Sequence, residues 1–508
     1  MTATTQPRPR AVVIGGGIGG LSVAIRLLAE GCDVTVVEQR RHVGGRASQI
    51  RDGGFTFDTG PSLITMPWLI DELLRLGGTS LADELTLHRL DPGYRIYWTG
   101  EERHFDFFGD RDGLHAETAK FSPFDATRLD AFLEASRAIH EEGILKAGKR
   151  PFLHLTDMVR LAPMMVKLDA MRSLSSFVAK YFTEPHLRHV YEFHSLFLGG
   201  DPSRVPAIYA ALVWLQLLDG VWYAEGGMYS LIQAVARTVE RGGGTIITGE
   251  EVTRVKHRDG RAYGVVTRSG QHLPAEIVVS DADVRARDAL VPGAPDGLPW
   301  RLRPLRTTMS AYLLYLGVNR RFERLQHHTL IVGDDYHGFI RDVTKTRRLP
   351  KDPCVYIHTP SRTQPSMAIP GGDSITVLLP VPNLRSGDDW STIEPALRER
   401  LFDWLETKGG LPGLRESIVV QHRWTPLEFR DGLGAIDGNA FAIEPSLEQS
   451  AYFRQPNRDR VVRGLYFVGA GTHPGAGIPG TIMGAEVTAN LVREDLRSAA
   501  LRPALVRG

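Results

Sequence analysis

Cysteine is almost missing from this chain. Cys32 and Cys354 are the two in 508 residues, far apart and outside any C-x-x-C pair. That excludes a disulfide framework and a dithiol redox pair, and it fits a reducing cytosol. An excess of charge of one sign is also absent: 60 basic residues offset 59 acidic ones to a net +1, so nucleic acid is not expected as a bulk partner. No apolar run is long enough to span a bilayer. The most apolar late stretch, Val205 to Leu218, is interrupted by Pro206 and Gln216 and stops at Asp219. The start, Met1 to Arg10, carries two arginines ahead of an apolar stretch, but the glycines directly after Ile14 are needed for a turn and argue against a secretion signal. G-x-S-x-G and H-E-x-x-H are missing too, and no metal site is expected. There is no internal repeat and no low-complexity tract.

What is present is concentrated at the two ends. Ala11 to Leu21 reads as an apolar strand, a glycine turn and a helix, with Gly15, Gly17 and Gly20 at G-x-G-x-x-G spacing. One glycine makes the tight turn, one lets backbone amides approach a pyrophosphate, and one allows close helix–strand packing. The helix from Gly19 to about Glu30 aims its positive end at the anion. Asp33 to Val37 alternates into a second strand, and Glu38 stands where a carboxylate accepts from a ribose and disfavours a 2′-phosphate. An ordinary βαβ unit is the competing reading. The second glycine pair, Gly44-Gly45-Arg46, resembles the extended fingerprint of FAD enzymes more than that of NAD dehydrogenases.

Between the ends, Gly54 to Ser62 reads as a strand and turn, Tyr94 to Phe108 as paired strands around Gly100, and 125–149 and 155–198 as long helices. A helix after Gly226 stops at Gly242-Gly-Gly244, which follows a helix rather than a strand and is read as a helix stop, not a phosphate loop. Strands follow at Thr245 to Thr248, Val252 to His257, Ala262 to Thr267 and Ile277 to Ser280, with turns at Asp259-Gly260 and Ser269-Gly270. Alternation at Met309 to Val318 and Ser374 to Leu379 predicts a second sheet. Joints lie at Val291 to Pro299 and Pro370 to Gly372. With 508 residues, two or three lobes are expected. Near the C-terminus, Gly464 to Gly480 reads as a strand running into a glycine-rich turn, with Pro479 placed for the first turn of a helix. Such a helix start offers amides to a partial negative charge, as a reduced flavin develops.

Taken together, Val13 to Leu21, Val43 to Arg46, Gly54 to Pro61, Phe193 to Gly200, Gly220 to Tyr223 with Gly226-Gly-Met228, and Val468 to Pro479 resemble the bacterial-type phytoene desaturases and their carotenoid-desaturase relatives. The resemblance runs nearly end to end. Gly471-Thr-His-Pro-Gly-Ala-Gly477 is its most specific part. It implies an α/β fold: a Rossmann-like FAD-binding domain of flavin amine oxidase type, a mixed-sheet substrate domain and a helical lid. The expected division is 1–90, 225–300 and 450–508 for FAD, 91–150 and 301–449 for substrate, and 151–224 for the lid and a possible membrane contact. The implied FAD ligands are Gly15, Gly17, Ile18, Gly19, Gly20, Glu38, Gln39, Gly45, Arg46, Gly60, Pro61, Ser62, Val252, Gly469, Gly471, Gly477 and Ile478. The implied reaction is stepwise desaturation of phytoene to neurosporene or lycopene, with quinone or oxygen as the final acceptor. Thr481 to Glu486 and Gly226 to Ser230 depart from the family pattern and keep diapophytoene or a hydroxylated carotene open as substrates. A flavin amine oxidase and a non-catalytic flavin-binding escort are the other readings.

Hydride loss from an allylic carbon leaves a cation that the polyene itself stabilises, so positioning and an apolar tunnel matter more than a strong nucleophile. As proton acceptor, Asp157 with Arg160, three apart on one helix face, is the candidate pair, with a surface ion pair as the competing reading. His194 and His473 are candidates set against packed histidines. His186, His189 and Glu192 mimic a metal spacing but are read as a solvated helix face. Leu155 to Phe182 mixes Met, Leu and Val with Lys167, Arg172 and Lys180, a pattern shared by lid helices and by helices lying on lipid. A cytoplasmic protein held peripherally on a membrane is expected, because its substrate is a long hydrocarbon.

Overall fold

The computed structural model describes residues 8–294 and 305–498. The joint at Val291 to Pro299 and the outer ends of the 1–90, 225–300 and 450–508 spans thus lie partly outside the described residues. Ala11 to Ile14 are all buried, as an apolar strand is when helices cover both faces of a parallel sheet. That strand, Arg10–Ile14, is central in a five-stranded parallel sheet ordered Leu465–Phe467, Ile277–Ser280, Arg10–Ile14, Asp33–Glu38, Thr245–Thr248. The chain leaves it in one direction to Asp33–Glu38 and returns on the other side at Ile277–Ser280. A ligand crevice opens at such a reversal, beyond the carboxyl ends of the strands. Helix Ile18–Ala29 is buried from Gly19 to Leu27 and packs on helices Met228–Arg241 and Ile478–Arg497.

A three-stranded antiparallel sheet, Val252–Arg258, Arg261–Thr267 and His272–Pro274, follows the expected turns. Asp259 and Gly260 both adopt positive φ (50° and 67°), as the tight hairpin requires. The second large sheet has seven strands in the order Ile418–Trp424, Ser310–Val318, Asp373–Val381, Val355–His358, His328–Val332, Tyr94–Trp98, His104–Phe107. It is mixed: His328–Val332 runs parallel to Tyr94–Trp98, and the other pairs are antiparallel.

The long helices expected over 125–149 and 155–198 are broken. The first becomes Pro123–Ala126, Leu129–Ile139 and a wider-turned His140–Ala147. The second becomes Leu155–Lys167, Leu174–Val178, Pro185–Glu192 and a short 3-10 turn, Phe193–Leu198. Asp169 in the left-handed region (φ 54°) ends the first of these, and Pro185 can only begin a new one.

Candidate functional site

The glycine turn is closed so tightly that side chains would not fit. A Cβ on Gly20 would lie 2.0 Å from the Gly15 carbonyl oxygen, and one on Gly60 would lie 2.2 Å from that of Arg46. Glu38, buried at the end of its strand, accepts from Gly16 N (2.7 Å) through Oε2 and from Arg40 N (2.8 Å) through Oε1. Arg40 in turn donates to the Gly45 carbonyl (2.8 Å), and Gly44 N donates to Gly16 O (2.8 Å). The two glycine fingerprints are therefore tied together by Glu38 and Arg40.

A single cavity of about 1170 Å³ opens from this clasp. Gly15, Gly17, Ile18, Gly19, Glu38, Gln39, Gly45, Arg46, Gly60, Pro61, Ser62, Val252, Gly469, Gly471, Gly477 and Ile478 all line it, and Gly20 stands directly behind. Its far half is apolar, walled by Met158, Leu161, Met165, Leu196, Phe197, Ile208, Leu212, Leu330, Val332 and Phe339. Single-ligand sites hold roughly 300–1,000 Å³; this one is larger than that range. The wall fits an adenine dinucleotide. It has a cradle of glycine amides, the acid Glu38 at the strand end, helix Ile478–Arg497 starting at Gly477 with Pro479 in its first turn, and an Arg46 Nε that is buried without a hydrogen-bond partner.

Asp281 escaped the sequence reading, although it follows a parallel strand at the very edge of the glycine turn. Its carboxyl faces the backbone N–H groups of Gly17 and Gly20, and a Cβ on Gly17, Gly19 or Gly469 would come within 2.6 Å of its oxygens. It therefore stands beside the amides that a pyrophosphate would need. Burial pushes its carboxyl up to about 7; the glycine N–H bonds and Arg46 pull it down, and Glu38 pushes it further up.

Arg454 escaped it as well. It is buried at 2% exposure, donates to the Ala470 carbonyl (2.7 Å) and keeps an unpaired Nε. Burial lowers its pKa, with Tyr209 facing it. It lines the cavity beside the C-terminal glycine turn. Asp58, in the Gly54 to Pro61 segment, accepts from Tyr223 Oη (2.7 Å) and Met228 N (2.9 Å). That joins three separately recognised segments, and burial pushes the Asp58 carboxyl up to about 6. Ser62 pairs with Tyr356 (2.5 Å), which pairs with His328 Nδ1 (2.7 Å).

Asp157 and Arg160 share a helix face, as their spacing predicts, but outside the cavity. Asp157 caps its own helix, accepting from His154 N (2.9 Å), while the Arg160 side chain is 82% exposed and 3.9 Å from it. Neither lines the cavity; Met158, Val159, Leu161 and Ala162 between and beside them do. His194 is fully buried against Tyr94 (2.5 Å) and burial lowers it to about 3. His473 lines the cavity, with Nε2 3.4 Å from the Ala147 carbonyl, and burial lowers it to about 4. His186 and His189 are not on a solvated face: His186 bridges Glu184 (2.6 Å) and Glu101 (2.7 Å), and His189 accepts from Trp98 (3.3 Å). Their spacing is taken up by an aromatic cluster.

A family model described as flavin-containing amine oxidoreductase matches residues 18–493. A lycopene-forming phytoene desaturase of Pantoea ananas is 41% identical, covering 95% of this chain and 99% of its own. A neurosporene-forming phytoene desaturase of Rhodobacter capsulatus is 36% identical, covering 97% and 95%. Among solved structures, cyclohexylamine oxidase from Brevibacterium oxydans superposes with a TM-score of 0.59 at 19% identity, covering 97% of this chain and all of the other, a likeness of fold alone. The chain belongs to the flavin-containing amine oxidoreductase family, FAD being its cofactor, and groups there with the bacterial-type phytoene desaturases.

Proposed function

We propose that this protein desaturates a carotenoid precursor, phytoene, in successive steps to neurosporene or lycopene. One observation carries the reading: the glycine clasp and the long apolar tunnel are a single continuous cavity, so a polyene can lie end-on to a flavin. When bound, FAD supplies the two-electron acceptor for a hydride from an allylic carbon. The protein's own part is to hold and exclude. Gly15 to Gly20, Glu38, Arg46, Gly60 to Ser62, Val252 and the turn Gly469 to Ile478 hold the cofactor. Phe197, Ile208, Leu330 and Phe339 keep water from the chain and fix its position. Positioning matters most in a reaction whose cation is stabilised by its own polyene. An amine oxidase would place a lysine by the flavin, and among the described residues no lysine lines this cavity. Expression in a phytoene-accumulating bacterium tests the reading through pigment spectra. Yellow to red carotenes are expected, and a colourless host with folded, flavin-loaded protein overturns it.

The lid helix Leu155–Lys167 supports attachment to a membrane surface from the cytoplasmic side. Leu155, Val159 and Val166, with Met171 just beyond, are 47–67% exposed, while Met158, Leu161 and Met165 of the same helix line the tunnel. Arg160, Lys167 and Arg172 flank them, as on helices that lie in lipid headgroups. No helix among the described residues is long and apolar enough to cross a membrane. A hydrocarbon would enter through this patch, and a quinone in the same bilayer, or oxygen, would reoxidise the flavin. Flotation with anionic liposomes is expected for the native protein and reduced for Val159→Glu/Val166→Glu; native protein that stays with the soluble fraction contradicts it.

A further inference from the structure

We propose that His327, His328 and His358 form a binding site for one first-row divalent cation, with Zn²⁺ as the ion they fit best. His328 and His358 are directly opposite each other on adjacent antiparallel strands, and His327 immediately precedes His328. The three rings lie 4.5, 5.0 and 5.3 Å apart, centre to centre. One nitrogen from each lies within 4.8 Å of the other two, and the Nε2 atoms of His327 and His358 are 3.1 Å apart. Two Zn–N bonds of ~2.0–2.1 Å at the tetrahedral angle span about 3.3 Å, so this pair is already at the bite of a single ion. His328, with a nitrogen within 4.8 Å of both, completes the set by a ring movement.

Two of the other ring nitrogens are occupied in the manner of metal-bound imidazoles. His327 Nδ1 pairs with Thr363 Oγ1 (2.6 Å) and His328 Nδ1 with Tyr356 Oη (2.7 Å). Such outer partners fix the tautomer and turn Nε2 toward a shared ion. His328 Nε2 is then left buried with no hydrogen-bond partner, an unfavourable state unless something binds there. Between His327 and His358, one proton at most can bridge the two nitrogens. A cation would satisfy all three lone pairs at once. All three rings are kept neutral by burial, the form a metal requires.

The donor set selects the ion. Three imidazoles without a carboxylate or thiolate exclude calcium and magnesium and suit zinc. His358 and Tyr356 line the main cavity, so a fourth position faces it, open to water or another small ligand. Zn²⁺ is not redox-active, so it exchanges no electrons with a flavin. The site would lock strand Val355–His358 to His328–Val332 and, through Tyr356 and Ser62, brace the cofactor loop.

The test uses the full-length protein, stripped with a chelator and reloaded with Zn²⁺ or Co²⁺, then gel-filtered. About one Zn per chain by elemental analysis and the intense visible bands of tetrahedral Co²⁺ are expected. Both should be lost in His328→Ala and His358→Asn, with circular dichroism unchanged. Wild-type protein that shows no tetrahedral Co²⁺ spectrum after loading overturns the proposal without recourse to any variant, as does equal zinc retention in wild type and folded His328→Ala.

Discussion

Replacing Asp281 by Asn should change how the protein takes up FAD with pH. In the free protein this carboxyl faces the Gly17 and Gly20 N–H groups and Glu38, with Arg46 and the glycine amides favouring its charged form. Burial has pushed it up to about 7 from an ordinary value of 3.8. Its folded pKa is thus above its unfolded one, so its contribution is most favourable when protonated, below pH 4, and is lost as pH rises through about 7. A diphosphate brought to the same turn raises the cost of the charged form further, so FAD binds with a proton already on Asp281. Above pH 7 the apparent Kd should therefore rise about tenfold per pH unit, and at pH 8.5 by roughly thirtyfold, about 2 kcal/mol. Asn keeps the shape and an oxygen acceptor but cannot ionise. Titration of apoprotein with FAD, followed by flavin fluorescence between pH 6 and 9, should give a steep Kd in wild type and a flat one in Asp281→Asn. Near pH 6 the two should agree within a few-fold. Parallel slopes in the two proteins, or wild-type affinity that rises with pH, would refute the coupling.

Gly20→Ala places a methyl 2.0 Å from the Gly15 carbonyl oxygen, a backbone clash that should cost about 1–3 kcal/mol or more; flavin content after purification should collapse, and normal loading would show that the turn yields more easily than its contacts imply. Arg454→Met removes a buried positive charge beside Ala470 and Gly475; the potential of bound flavin should fall by tens of mV, where 30 mV is about 1.4 kcal/mol for two electrons, and an unchanged potential would place Arg454 in a packing role only. Asp157→Ala removes a helix cap and should cost roughly 0.5–2 kcal/mol of stability, with turnover per bound flavin within about twofold of wild type. A loss of 10²–10⁴-fold, as for a general base, would restore Asp157 to the chemistry.

The cofactor half of the site was legible because its demands are local. A glycine turn, an acid at a strand end and Pro479 opening a helix each follow from a few adjacent residues, and the 16 wall residues named from the sequence do meet on one cavity. The Asp259-Gly260 hairpin was legible for the same reason. Asp281, Arg454 and the three histidines were not, since their roles arise from strand order and register: His328 faces His358 only through the pairing register of their two strands. The helix reading failed over 155–198 because apolar periodicity persists through Asp169 and Pro185, while backbone geometry does not. Asp157 and Arg160 show the matching limit on the chemistry. Helical spacing put them on one face, but that face belongs to solvent, and the apolar neighbours turn inward.

The most direct measurement is an anaerobic single turnover of FAD-loaded protein with phytoene in liposomes and no nicotinamide. Bleaching of the oxidised flavin band should accompany lengthening of the polyene, one new double bond per flavin reduced. Flavin that stays oxidised against phytoene, yet is bleached by a primary amine, would contradict a desaturase.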